Sequence, residues 1–470
     1  MQAGATGRYS YAPAVPDPAR MLAVDHAAAA SLVSPGHDAV TATRRIGFAG
    51  ALGLIALAGF VLRVIYAAAA LRDEGPMADG LYYAAQAEVI ADGRWFDHPF
   101  QPGTPAADHP PLNALVLSMP ARLFGGDFMA MRITLCLVGA TTIVLVGLLA
   151  RRFAQRARSL PADRVGLIAA GLTAVYANIW MNDAIMMAES VTGACVAAAL
   201  VGTYVLLDRP AWPAAVVLGG VIGLGALARA ELTLLGPLVA VPAIVLTTQS
   251  WRARLARTAA CAAAALLVIA PWAAYNLTRF DRPTLLSTGE GHVTAGANCP
   301  STYHGRAIGY WSFECAFAEP DAPVDVDQSE LSAWYGDHGA EYRREHLGRL
   351  PVVMGARVAR LWSVGWVGQM ASVNEFEGRP RWASLLGVVS FWALVPFAVA
   401  GAVMARRRGL VAWPLLTLPI LVTGLAAWYY GSVRFRLPAE ITIVVLAALT
   451  LAELRERRRG PTTAPTAAGG

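Results

Sequence analysis

The sequence predicts an all-α polytopic membrane protein with about 10–12 transmembrane helices and two long extracytoplasmic loops that carry interfacial helices. Three observations predict it. Of 470 residues, 56% are hydrophobic and 15% charged, and the mean hydropathy of +0.47 exceeds that of an ordinary soluble domain. The apolar residues gather in ten runs of near-spanning length, at 46–70, 129–150, 165–180, 184–207, 213–228, 232–247, 258–275, 384–404, 410–428 and 437–451. The basic residues, all arginine, cluster beside those runs: Arg44 and Arg45, RRFAQRAR with Arg164, WRARLAR, 406–408, and RERRR at 455–459.

By the positive-inside rule these clusters mark the cytoplasm, and ten crossings then leave both termini inside. The net charge of +6 is thus accounted for by position and points to no nucleic-acid partner. An all-arginine basic set with abundant Ala and Gly marks a GC-rich genome of the actinobacterial kind. The chain divides into a disordered cytoplasmic stretch at 1–43, rich in Ala and Pro, a transmembrane domain at 44–455, and a disordered basic tail at 456–470. No removable signal peptide is expected, because no charged segment leads directly into an apolar core and cleavage site.

Taken in order, the elements place the chemistry on one side. The first outer loop, 71–127, holds a short amphipathic helix, since Leu81, Ala84, Ala85 and Val89 recur at helical spacing. Asp79 lies at its start, as an N-cap or as a functional carboxylate. PPLNALVLSMPARLFG, at 110–125, enters the bilayer as a partial or tilted helix too short to cross. The second outer loop, 276–381, contains the sequence's only two loop cysteines, Cys299 and Cys315, which are expected to form a disulfide. Its aromatic stretch GANCPSTYHGRAIGYWSFEC, with Tyr303 and Trp311, suits a sugar face or a peptide and is the candidate acceptor side; a simple lid is the alternative.

Span ends add further ionisable groups at the outer leaflet, where charge is costly and function is the default question. Arg132 begins one span and can also snorkel. Glu189 is either helix-to-helix glue or a site residue. Arg229 and Glu231, two apart, cannot face each other on one helix and need other partners. In RFRLP, Arg434 and Arg436 point the same way if the lead-in is extended, so they can clasp a lipid phosphate or simply anchor to headgroups. His98 and His109 lack neighbouring ligands at helical spacing, so no metal is expected.

These residues resemble a family. An arginine in the first span (Arg63), D-x-x-x-Y (Asp79 to Tyr83), Gly93, HPPL beginning at His109, FG then R (Phe124, Gly125, Arg132), LARR, Glu189, LARAELTLLGP, PWAAYN and RFRLP occur in an order similar to that of the GT-C glycosyltransferases. Within them the chain is most similar to the branch of protein O-mannosyltransferases and aminoarabinose transferases, over 60–451. The resemblance implies a multi-pass plasma-membrane enzyme, active on the extracytoplasmic side, that transfers a mannosyl or arabinosyl unit from a polyprenyl-phosphate donor to a hydroxyl-bearing acceptor. No cofactor is implied beyond the lipid-linked substrate.

It also implies that Asp79 is the catalytic acid of the first loop. The family's usual pair is D-E, whereas here Gly80 follows and the adjacent pair Asp73 and Glu74 lies six residues early. Asp73, Glu74 or Glu189 can supply the second carboxylate. Arg434, Arg436, Arg132 and Arg229 are candidates for the donor phosphate, and Tyr82, Tyr83, His109, Tyr303 and Trp311 for substrate contacts. A base within reach of an acceptor hydroxyl and arginines at the leaving phosphate fit the chemistry on their own terms. A flippase or secondary transporter is the alternative, although no internal repeat is visible. A structural membrane subunit would leave the unequal outer loops unexplained.

Overall fold

The computed structural model describes residues 46–157 and 159–459. The expected N-terminal stretch at 1–43 lies outside them, as does the tail beyond 459. α1 (Phe48–Ala70) leads into the first loop, whose α2 (Asp79–Ala91) and α3 (Leu112–Phe124) precede α4 (Phe128–Gln155). α5 (Ala162–Val175) and the single turn α6 (Ala177–Trp180) are followed by a 3₁₀ turn (Met181–Ala184), α7 (Glu189–Asp208) and α8 (Trp212–Ala228). A 3₁₀ segment (Ala230–Leu234) and a π-helical segment (Gly236–Ala240) run on into α9 (Val241–Thr247), together one helix of 18 residues, and α10 (Trp251–Leu277) follows.

The second loop carries α11 (Glu290–Ala297), α12 (Pro300–Tyr303), α13 (Phe313–Phe317), α14 (Gln328–Glu345), α15 (Leu350–Leu361) and α16 (Val367–Phe376). α17 (Arg381–Arg407), α18 (Trp413–Trp428), a 3₁₀ turn (Val433–Arg436) and α19 (Leu437–Arg459) complete the described chain. The start of the expected tail, 456–459, is thus the last turn of α19. Among the described residues no strand forms beyond an isolated bridge between Asp97 and Pro105.

All ten apolar runs are helical, and the chain is an all-α polytopic membrane protein. Among the described residues seven segments are long and apolar enough to cross a membrane, and α5 with 177–184, bent by 59°, is either a broken eighth span or a re-entrant loop. α8 and α18, with 17 and 16 residues, sit at the lower edge of spanning length. α3 has 13 residues and reaches only about 20 Å at 1.5 Å per residue, which is the partial helix the sequence predicts.

α19 is the centre of the bundle. Its apolar window is 83% buried, against 11% for α10, which faces lipid along most of its length. An apolar helix with no polar face belongs inside, and α19 packs on α17, α18 and α5. α4 packs on α1, α5 and α7, and α8 lies between α7 and α10.

The bend between α5 and α6 frees backbone carbonyls. Arg63 of α1 takes them up, donating to Ala174 O at 3.1 Å and Thr173 O at 3.2 Å, and its Nε pairs with Asp183 at 2.7 Å. This buried arginine fixes the 177–184 turn beneath the loop face, the end of the bundle that carries both long loops. There, Ala107 N donates to Gln328 at 3.2 Å and Thr288 N to Ala107 O at 2.7 Å, so the two loops form one layer.

Candidate active site

α2 starts sharply. Ala78 sits at φ 49°, a left-handed conformation that turns the chain out of the 71–77 stretch, and Asp79 is the first helical residue, not the cap. Its carboxylate therefore faces inward and accepts from Arg434 Nη2 at 2.7 Å. The N-cap reading of Asp79 fails on this geometry.

Arg434 stands at the centre of a node. Its Nε donates to Glu189 at 2.7 Å and its Nη1 to Glu377 at 3.2 Å, so one guanidinium gathers acids from the first loop, the start of α7 and the end of the second loop. Glu189 opens α7, where the helix dipole favours an anion, and its side chain is 1% exposed. Arg229 approaches Glu189 at 3.6 Å and Arg379 at 3.9 Å. Arg379 also pairs with Glu377 and donates to Asn182 at 2.8 Å, which ties the end of the second loop to the 181–184 turn.

Burial by itself would raise the Asp79 carboxyl. The Arg434 guanidinium beside it, helped by His109, outweighs burial and holds it well below the usual carboxylate range. His109 stacks on Tyr83 with centroids 4.9 Å apart and meets the edge of Tyr82 at 5.2 Å, so HPPL braces the inner face of α2. Burial first, and then the negative Asp79, push the Tyr83 hydroxyl up.

A cavity of about 950 Å³ adjoins the node. α1 contributes Leu62, Ile65 and Tyr66, the first loop Met77 and Gly80, and the second loop the run from Glu375 to Pro380 with Trp382 of α17. The face from α1 is apolar and helical, Glu74 and Arg132 line the cavity beside it, and the second-loop side carries Glu377 and Arg379. Gly80, which follows Asp79, opens onto this cavity. The carboxylates that share Arg434 with Asp79 are Glu189 and Glu377.

Several expected site residues lie elsewhere. Arg436 does not face Arg434's partners, because the 433–436 lead-in is a 3₁₀ turn and not extended, so residues two apart diverge. Arg436 pairs with Glu440 at 2.6 Å, donates to Leu361 O at 2.9 Å and covers the Phe391 ring at 3.8 Å. Arg132 spends its guanidinium on the carbonyls of Leu71 and Glu74, closing the end of α1. Asp73 and Glu74 are exposed and do not reach the node. Tyr303 is fully buried, its hydroxyl on Asn298 at 2.9 Å, and Trp311 is half-buried with its indole N–H on His292 O at 3.2 Å. Arg229 and Glu231 do meet, at 2.5 Å, because Arg229 is extended between two helical segments.

Sequence reasoning missed Glu377 and Arg379. The available signal was EGRP, a charged pair against a span-starting proline at the end of a loop. Cys299 and Cys315 are joined in a disulfide. Among the described residues, Asp281, Asp327 and Glu330 bring carboxylates within 4.8 Å. Asp327 is the N-cap of α14, accepting from the amides of Asp281, Ser329 and Glu330, which accounts for that grouping structurally.

The model of the family described as dolichyl-phosphate-mannose-protein mannosyltransferase matches residues 108–275. That segment takes in His109, Glu189 and Arg229 but ends before Glu377 and Arg434. No curated protein matches the chain. Among solved structures, the Archaeoglobus fulgidus oligosaccharyltransferase in complex with zinc and sulfate gives a TM-score of 0.50 at 17% identity, over 87% of this chain and 49% of that one. The same enzyme tethered by a disulfide to an acceptor peptide containing the NVT sequon gives 0.51 at 17%, over 88% and 50%. ArnT from Cupriavidus metallidurans bound to undecaprenyl phosphate gives 0.42 at 14%, over 85% and 77%, a likeness too weak to argue from. The chain spans about half the length of the oligosaccharyltransferase it matches. The likeness to the oligosaccharyltransferase shows a fold that this chain shares with it over 87–88% of its own length.

Proposed function

We propose that this chain is a GT-C membrane glycosyltransferase. It takes a sugar from a polyprenyl-phosphate donor and transfers it, with inversion, to a hydroxyl-bearing acceptor on the extracytoplasmic side of the plasma membrane. The observation that carries the reading is Asp79, a carboxylate kept ionised by Arg434 at 2.7 Å beside a cavity with an apolar face along α1 and charged groups on its second-loop side.

The chemistry follows from those groups. The acceptor hydroxyl hydrogen-bonds to Asp79. As its oxygen bonds to the anomeric carbon, the proton passes to the carboxylate, a transfer worth typically about 10²–10⁴-fold in rate. The bond from the anomeric carbon to phosphate breaks on the opposite face, its electron pair leaving with the phosphate. The diester becomes a monoester and gains charge, which prepositioned guanidiniums stabilise without reorganisation. The apolar wall along α1 suits the polyprenyl chain. A mannosyl or arabinosyl unit is the sugar, and a secreted protein, envelope glycan, lipid or exported natural product the acceptor.

The test uses the purified full chain in nanodiscs with labelled mannosyl and arabinosyl polyprenyl phosphates and an envelope extract as acceptor. Transfer that depends on Asp79 supports the reading. Movement of the donor across vesicle membranes without any turnover would replace it with a flippase.

A further inference from the structure

The mechanism above makes no use of Glu377, which nonetheless occupies a telling position. One of its oxygens accepts from Arg434 Nη1 at 3.2 Å and the other pairs with Arg379 Nη1. The three side chains are 10%, 9% and 2% exposed, respectively. Two guanidiniums closed on one two-oxygen anion is the arrangement in which they clasp phosphate oxygens. Glu377 and Arg379 also line the cavity, on its second-loop side.

Charge balance narrows what can happen there. The ion pairs of the node join the carboxylates of Asp79, Glu189, Glu231 and Glu377 to the guanidiniums of Arg229, Arg379 and Arg434, so four acids already share three guanidiniums. An anionic phosphate finds no unengaged guanidinium in this node; a carboxylate must give way. Asp79 and Glu189 are set in the first turns of α2 and α7, and Glu231 is held by Arg229 at 2.5 Å. Glu377 follows the end of α16 and precedes Gly378, whose φ of 88° only glycine adopts freely and whose open side meets nothing nearer than Ile185 at 3.9 Å. Its backbone is closed by hydrogen bonds from the amides of Glu377, Gly378 and Arg379. Its side chain, held by the two guanidiniums, sits at a helix C-terminus, where the dipole gives an anion no support, so it is the acid whose side chain most easily gives way.

We infer that Arg379 and Arg434 form the seat for the donor's phosphate, and that Glu377 is a built-in stand-in for that phosphate, displaced from the two guanidiniums when the phosphate binds. The inference rests on the donor class proposed above. It assigns Arg379 as a phosphate ligand and gives Glu377 a role that opposes binding.

The experiment measures the Kd of undecaprenyl monophosphate for the full chain in nanodiscs, with inorganic phosphate as a second, competing probe. Glu377→Gln keeps the volume and removes the charge, and is expected to tighten lipid binding by about tenfold or more. Arg379→Ala is expected to weaken it by at least as much, and Glu377→Asp, with a shorter reach, to fall between wild type and Glu377→Gln. Thermal unfolding of each variant confirms that a folded protein is compared. Stronger competition by inorganic phosphate in Glu377→Gln than in wild type shows that the seat reads phosphate itself. Competition by undecaprenol, which lacks the phosphate, equal to that of the monophosphate overturns it. Wild-type binding with unchanged or weaker binding by folded Glu377→Gln overturns the inference and leaves the donor class standing. No lipid binding by wild type overturns the donor class, and the seat then survives only if Glu377→Gln binds inorganic phosphate more tightly than wild type does.

Discussion

Arg434 and Arg436 stand two residues apart, and each is the hub of a buried charge cluster, yet the clusters are built differently. Around Arg436, everything is closed. Glu440 pairs with it at 2.6 Å and also accepts from Tyr176 at 2.5 Å and Asn178 at 3.1 Å, so α19, the α5–α6 bend and the loop before α16 are locked by one satisfied network. Around Arg434, the acids outnumber the bases, one Glu189 oxygen has no partner, and the Asp79 side chain keeps 35% of its surface exposed. A fully paired buried cluster specifies how helices meet. A cluster with excess acid and an open side costs stability unless something binds there, and that asymmetry is the reason the Arg434 node is proposed as the place of chemistry.

The comparison breaks most visibly at Asp79. Asp79→Asn should reduce sugar transfer by about 10²–10⁴-fold at a smaller cost in stability than that of Arg436→Ala, since its partner Arg434 retains Glu189 and Glu377. Arg436→Ala should do the reverse. Removing one member of a fully buried pair costs about 3–5 kcal/mol, to be read as a lower denaturation midpoint, with transfer per folded molecule much less affected. Equal losses of activity and stability in both variants would erase the distinction between the two hubs.

The disulfide sharpens the same contrast from the second loop. Cys299 and Cys315 close a loop with a sequence separation of 16, and a loop of that size contributes about 3 kcal/mol in the chain-entropy account. Cys315→Ser should destabilise the second loop by about that much without touching donor binding. Recovery of both cysteines as free thiols from native membranes would remove the bridge altogether.

How far each hub was legible in the sequence follows from local geometry. The spans and the short helix of the first loop were readable because hydrophobic period and length carry them, and α3 because a helix of thirteen residues is too short to cross. Arg436 was misassigned because the direction of RFR depends on whether the lead-in is extended, and the 3₁₀ turn is set by tertiary contacts. Gly431 lies against the Arg357 carbonyl and donates to Gly309 O at 2.9 Å, which fixes the turn from the second loop. Glu377 was invisible for another reason. It is one of many acids in a long polar loop, and only its tertiary position beside Arg434 separates it from the rest.

A smaller effect concerns pH. Arg434 holds the folded-state Asp79 carboxyl below its ordinary value, so the stabilisation it confers is fully present above the unfolded carboxylate range near about 4 and is lost as pH falls toward the folded value. Wild type and Asp79→Asn should therefore keep a constant difference in stability between pH 5 and 8, and the difference should shrink only in stronger acid. A difference that changes near neutrality would mean that Arg434 does not hold Asp79 in solution.

The smallest expected effect is at Asp73 and Glu74, and it decides whether the node has been placed on the right acid. Both are exposed in the stretch between α1 and α2, and Glu74 touches the bundle through its backbone carbonyl, which Arg132 takes at 2.7 Å. Asp73→Asn and Glu74→Gln leave that carbonyl in place, and exposed substitutions of this kind usually stay within about 0.5 kcal/mol. Both variants should retain wild-type transfer under conditions in which Asp79→Asn has lost it. An inactive, well-folded Asp73→Asn beside an active Asp79→Asn would move the base six residues upstream. It would also require the 71–78 stretch, which already lines the cavity, to bring Asp73 inward during turnover, because no carboxylate there pairs with the node's guanidiniums in the present geometry.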